Sequence, residues 1–379
     1  MKLLMILAIA LAVSLGGIVL VGCTENITGS AVKEGDIVIG ALMPLSGKAA
    51  SFGNRAKQGI DMAVDEINAQ GGINGRILKV QYEDTFTDAK KGVSAALKLI
   101  TQDKVSVMLG PGASHVSMAI APVAEEHKVV IFASMPSIPD LRDSGDFIFR
   151  NRITGDKHSI YLAHFARDTL KAKTAAILFL NLHNGIAYKD VFIKEFEALG
   201  GEIVAVESYG QHDLDYRTQL LSIKTKNPDV FFITGPFHEL AVKQTRESGL
   251  DMQIISTIAM QNPDLFEVIG DTADGVFYSA PFINMSDPNV MAFEARYRAK
   301  YGVASDSFVS NAYDAMKITA MALEACGEDS ECIKNYLYTV QDYPGVSGKT
   351  SFDDDGEVEK PLMMKMVKDR GFVAWEGDV

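Results

Sequence analysis

The strongest constraint in this sequence is a rhythm. Short apolar runs bounded by turn residues alternate with segments of helical period, and the alternation runs twice. Ile37–Met43 is followed by Pro44 and Gly47 and suits a strand buried on both faces. Ala56, Ile60, Ala63, Val64 and Ile67 recur at helical spacing, and Gly71-Gly72 stops that helix. Residues 77–82, 105–109 and 129–132 read as further strands. Helices at 89–100, with Asp88 as N-cap, and at 114–126 separate them. The second round places strands at 175–180, 203–207, 230–233 and 253–256, with helices at 188–199, 216–224 and 238–247. Such alternation requires parallel sheets covered by helices on both faces. The blocks Asp36–Arg150 and Asn151–Ala273 therefore predict an α/β protein of two doubly wound parallel-sheet lobes.

The residues after Ala273 are too few for a third domain. They comprise a strand at 276–280, helices at 292–300, 310–325 and 332–339, and a closing pair of strands around a turn at Asp353-Asp-Asp-Gly356. These pieces must pack on the two lobes. A chain that crosses between lobes more than once makes a hinge, and the cleft beside a hinge is a usual ligand site. The length of 379 residues suits two domains.

The net charge of −13 comes without any cluster of Lys and Arg, so nucleic acid is not an expected partner. The start of the chain differs from the rest. Met1-Lys2 precedes an apolar run from Leu3 to Val21, and the tetrad Leu20-Val-Gly-Cys23 resembles a lipobox. On that reading residues 1–22 are an export signal, Cys23 is lipidated, and 23–35 form a lipid-linked tether. An uncleaved anchor helix also fits the length of the run. Both readings place the remainder outside the cytoplasm, tethered to the membrane. In an oxidising compartment Cys326 and Cys332 are expected to form a local structural disulfide rather than stay as free thiols.

Several catalytic motifs are approached and missed. Gly348-Lys-Thr350 lacks the first glycine of a phosphate loop, since position 343 is Tyr. Asp353–Gly356 lacks the first acid of a calcium loop, and the seven His residues show no zinc-ligand pairing. No nucleophile and base can be assigned to each other. No cofactor, no metal and no enzymatic activity are therefore expected.

The remaining motifs carry a resemblance. Ile39–Gly47, Gly59-Ile-Asp-Met-Ala-Val-Asp-Glu-Ile-Asn68, Gly71–Gly75, Gly110-Pro111 with Ser114, Ala121–Glu125 and Gly345–Asp353 occur in a fixed order over residues 36–379. Together they resemble the type I periplasmic binding proteins of the leucine/isoleucine/valine-binding family. The resemblance implies three hinge crossings, an N-lobe of 36–151 plus 281–345, and a C-lobe of 152–280 plus 346–379. It also implies a small polar solute as ligand, a membrane permease as partner, and a separate cytoplasmic ATPase driving an ABC importer. A ligand-sensing receptor subunit is the alternative on the same fold.

Two loops are expected to hold the ligand. Gly110-Pro-Gly-Ala-Ser114 lies between a strand and a helix, where unpaired N–H groups and the helix dipole favour a carboxylate. Ser114 could alternatively be a plain N-cap. The resemblance assigns Ser114 to the ligand carboxylate and places Ala113 beside it among the ligand-binding residues. It also assigns the Ser137 hydroxyl and the Met135 carbonyl, beyond the fourth strand, to other ligand polar groups. Phe52 should wall the apolar part, with Asn184 and Phe237 facing it from the other lobe. Amino-acid binders of the family carry an acid that pairs the ligand ammonium. Ile258 stands there in this chain. A small carboxylate or an amide is therefore an alternative ligand class to leucine-like amino acids.

Overall fold

The computed structural model describes residues 35–235, 239–262 and 265–377. All of them fall in one structural unit, Glu34–Val379. The expected export signal and tether with Cys23, and Phe237, lie outside the described residues.

The first sheet is parallel throughout. It contains β1 (Ile37–Met43), β2 (Leu78–Asp84), β3 (Val107–Leu109), β4 (Val130–Ala133) and β5 (Ile148–Arg150), in the order β2-β1-β3-β4-β5. Its crossovers are α1 (Ala50–Ala69), α2 (Ala89–Thr101) and α3 (Ser114–His127). Asp88 caps α2 by accepting from the Lys91 N–H at 2.9 Å. The second sheet has the order β12-β11-β10-β9-β8-β6-β7. It is built from β6 (Thr174–Leu180), β7 (Glu202–Tyr209), β8 (Val230–Thr234), β9 (Gln253–Ser256), β10 (Phe277–Pro281), β11 (Leu362–Lys368) and β12 (Gly371–Ala374). Strands β6 to β10 are parallel, and β11 and β12 add an antiparallel edge. The helices α4 (Gly155–His164), α5 (His183–Ala198), α6 (Arg217–Lys224), α7 (Glu239–Glu247) and α8 (Leu265–Ile269) belong to this part of the chain.

After β10 the chain returns to the first sheet as α9 (Pro288–Tyr301), α10 (Ser307–Cys326) and α11 (Ser330–Tyr338). α10 lies against α1 so closely that a Cβ on Gly59 would stand 2.2 Å from the Val309 carbonyl oxygen. Phe293, Phe308, Val309, Met316 and Leu323 join Ile39, Ile60, Phe132 and Phe149 in one buried core. Asp306 caps α10 through the N–H groups of Phe308 and Val309, and accepts from Arg55 Nε at 2.5 Å. Cys326 and Cys332 are joined by a disulfide, with their Cα atoms 5.6 Å apart.

Two expectations need correction. Residues from 346 were expected in the second lobe, yet Val346, Phe352 and Val358 pack in the first core. Phe352 sets its ring edge-on to Phe132 and Phe149, at 5.5 and 5.4 Å. The chain therefore leaves the first lobe only between Val358 and Leu362. The final hairpin also turns later than expected. Asp353–Gly356 is a turn bridging Phe352 to Val358, but the ladder of β11 and β12 closes at Asp369-Arg370.

Candidate ligand-binding site

In open parallel sheets the carboxyl ends of the strands, where loops meet helix N-termini, form the ligand crevice. Here both sheets direct those ends into one cavity of about 100 Å³. Pro44 and Phe52 follow β1, Thr87 follows β2, and Gly112 to His115 follow β3. Met135 to Ser137 follow β4, and Arg152 follows β5. From the second sheet come Leu182 and Asn184 after β6, Gln211 after β7, Gly235 after β8, and Thr257 and Ile258 after β9. A single water needs about 10–15 Å³ of such space, so the cavity suits a small molecule. Beside it Lys48 Nζ donates to the Gln211 carbonyl at 3.0 Å, a direct bond between the two lobes.

The β3–α3 junction is shaped for close approach. Gly110 has φ +99°, and a Cβ there would sit 2.2 Å from the Leu42 carbonyl oxygen, so only glycine lets β3 turn this tightly beside β1. The N-cap of α3 is Ala113, which offers no side-chain oxygen, and Ser114 is the first helical residue. Ser114 is thus not the N-cap. The leading N–H groups of α3 keep their positive end towards the cavity without a side-chain acceptor. Ser114 Oγ accepts from the Ser137 N–H at 3.4 Å, which ties the two first-lobe loops together. Ser137 faces Tyr188 of the second lobe across the same cavity.

The structure brings Phe52, Ala113, Ser114, Met135, Ser137, Asn184 and Ile258 to this one cavity. Ile258 is 2% exposed and supplies an apolar wall.

Sequence reasoning missed Arg152, Tyr188, Thr257 and Phe308, which also line the cavity. Arg152 is 6% exposed, and its guanidinium carbon lies 4.6 Å from the centre of the Phe308 ring. Among the described residues its Nη1 has no hydrogen-bond partner, and no carboxylate forms an ion pair with it. Burial pulls its pKa below the usual arginine value, against weaker opposing pulls from Tyr188 and Asp306. Burial likewise raises the Tyr188 hydroxyl. Behind it His158 shares a 2.8 Å hydrogen bond, through Nδ1, with Ser279 Oγ of β10. Burial first and the Arg152 charge second push this imidazole down to about 3, so it is neutral at neutral pH. The one local signal for Arg152 was its place three residues after the apolar run Phe147–Phe149, a run too short to mark a strand on its own.

Among the described residues no group of three metal-ligating side chains is assembled, and no helix is long and apolar enough to cross a membrane.

Comparison with known proteins supplies the context. Residues 36–371 match the family described as periplasmic binding protein. The chain is 27% identical over 332 residues to the Leu/Ile/Val-binding protein BraC3 of Rhizobium johnstonii, covering 86% of this chain and 90% of that one. It superimposes with a TM-score of 0.85 on the branched-chain amino acid transporter substrate binding protein LivJ of Streptococcus pneumoniae, solved with isoleucine. That pair is 26% identical and covers 89% of this chain and 98% of the other. A solute binding protein of an ABC transporter from R. palustris, solved with 4-hydroxybenzoate, shares the fold with a TM-score of 0.82. It is 24% identical, covering 90% of this chain and 96% of that one.

Proposed function

The chain belongs to the periplasmic binding protein family, and from that premise we propose that it is the extracytoplasmic substrate-binding component of an ABC importer, holding a small polar solute between its lobes. The observation that carries this reading is a cavity lined from beyond the carboxyl ends of β1 to β9. A solute held by one lobe gains contacts from the other only when they meet, so binding shifts the population toward the closed form. The bodies that move are an N-lobe of about 36–151 plus 281–358 and a C-lobe of about 152–280 plus 362–374. The closed form presents both lobes to a membrane permease, whose cytoplasmic ATPase supplies the work. Similarity to proteins named for leucine, isoleucine and valine supports a solute of that size.

The test has two stages. A thermal-shift screen of L-amino acids, short carboxylates and amides identifies a binder. Solute at 100 times its dissociation constant should add about 2.7 kcal/mol of stability. Small-angle scattering with that binder should then show a smaller radius of gyration. An unchanged radius with a proven binder would count against capture by closure.

Anchoring is part of the same proposal, with Cys23 as the lipid-bearing residue. Mass spectrometry of membrane-extracted protein should find a diacylglyceryl adduct on Cys23, and Cys23→Ser should release the protein from the membrane.

A further inference from the structure

Among the described residues lining it, the cavity has a positive pole and no negative one. Arg152 brings a guanidinium that is almost fully buried, with Nη1 unpartnered and no carboxylate paired to it among the described residues. The start of α3, uncapped at Ala113, adds a second positive end to the same space. None of the described residues lining the cavity is Asp or Glu, and Ile258 closes one wall. We propose that the solute is an organic carboxylate carrying no ammonium group, and that its carboxylate pairs with Arg152. This rests on the capture reading above and names its substrate class.

The argument is one of charge balance. A buried charge without a partner is strongly unfavourable, and such a residue persists where its partner arrives with the ligand. One carboxylate neutralises Arg152. A zwitterionic amino acid would bring an ammonium as well, leaving one positive charge in excess with no acid to meet it. The guanidinium would also repel that ammonium. Phe52, Met135, Phe308 and Ile258 suit an apolar body behind the carboxylate.

The solutes 4-methylpentanoate and L-leucine differ only by the ammonium group, and benzoate offers a planar body. Isothermal titration should show 4-methylpentanoate or benzoate binding at least tenfold more tightly than L-leucine. Arg152→Gln should weaken the bound carboxylate about 30-fold or more, as expected when one partner of a buried charge pair is removed. Arg152→Lys should retain part of the affinity. Without solute, Arg152→Gln should melt no lower than the parent, because it removes an unpaired buried charge. A purely structural arginine would give the opposite. Tighter binding of L-leucine, or carboxylate binding indifferent to Arg152→Gln, would overturn the inference. The paired solutes decide it in the parent protein even where a variant does not fold. L-leucine binding with compaction would leave capture by closure standing while removing the carboxylate class. A bound solute without compaction would remove the capture reading instead.

Discussion

Arg150 and Glu357, 207 positions apart in the chain, meet in a buried two-pronged ion pair. Nε donates to Oε2 at 2.8 Å and Nη2 to Oε1 at 2.6 Å. Nη1 of the same guanidinium donates to the Ile138 carbonyl, and the Arg150 N–H donates to the Gly356 carbonyl at 2.8 Å. The pair thus fastens the end of β5 to the last segment of the first lobe, just before the chain leaves for β11. Glu357→Gln should cost about 3–5 kcal/mol, because it leaves Arg150 buried without a counter-charge. Replacing both with Met and Leu should cost much less. Urea denaturation of the two variants checks both outcomes.

His158 gives the protein an acid sensitivity of predictable sign. Its folded pKa is pushed down to about 3 from an ordinary 6.5, by burial first and Arg152 second. Below pH 6.5 the unfolded chain binds a proton at this residue and the folded chain does not. Stability from this group therefore falls as the pH drops from 6.5 towards 3, with a slope of about 1.4 kcal/mol per pH unit. Above 6.5 both states are neutral and the contribution is flat. His158→Gln should remove that part of the slope, as read from denaturation midpoints between pH 4 and pH 8.

Gly59→Ala should destabilise the protein by about 1–3 kcal/mol through overpacking. The added methyl would stand 2.2 Å from the Val309 carbonyl oxygen, a backbone atom that moves only if α1 and α10 separate. A lower denaturation midpoint with an unchanged m-value is the expected signature.

Ser114→Ala should separate affinity from stability. The hydroxyl does not cap α3 and accepts one long bond from Ser137. Its removal should leave the solute-free melting temperature within about a degree or two. Hydrogen bonds to charged groups contribute about 1.5–3 kcal/mol, so carboxylate affinity should drop about 10- to 100-fold. Calorimetry with the tightest-binding carboxylate of the panel measures the drop.

Much of the architecture is legible in the sequence because strands buried on both faces appear as unbroken apolar runs, as Val230–Thr234 does. β5 is not. β5 has three residues and no pattern of its own, so the position beyond its end draws no attention, and Arg152 sits there. An arginine's burial also leaves no trace in its own letter. The final hairpin is hidden for a different reason. Asp369 and Arg370 adopt φ +50° and +57° to close β11 onto β12, a conformation usually signalled by Gly or Asn. Asp353-Asp-Asp-Gly356 has that turn chemistry and draws the expected hairpin to the wrong place. On the site, loops at strand ends are readable by position. The meeting of Ser137 and Tyr188 at one cavity depends on their closeness in space, which no local pattern encodes.

The packing of α10 against α1 orders the events of maturation. α1 ends at Ala69, and its buried face is covered by a helix that begins only at Ser307. While the chain emerges amino end first, the sheet strands β6 to β9 can find one another through near neighbours. The first lobe must wait with an apolar flank bare until almost the whole polypeptide has been delivered. The second sheet waits as well, for β11 and β12 at Leu362–Ala374. Closure over such distances is slow, so neither lobe can complete its core until nearly the whole polypeptide is available.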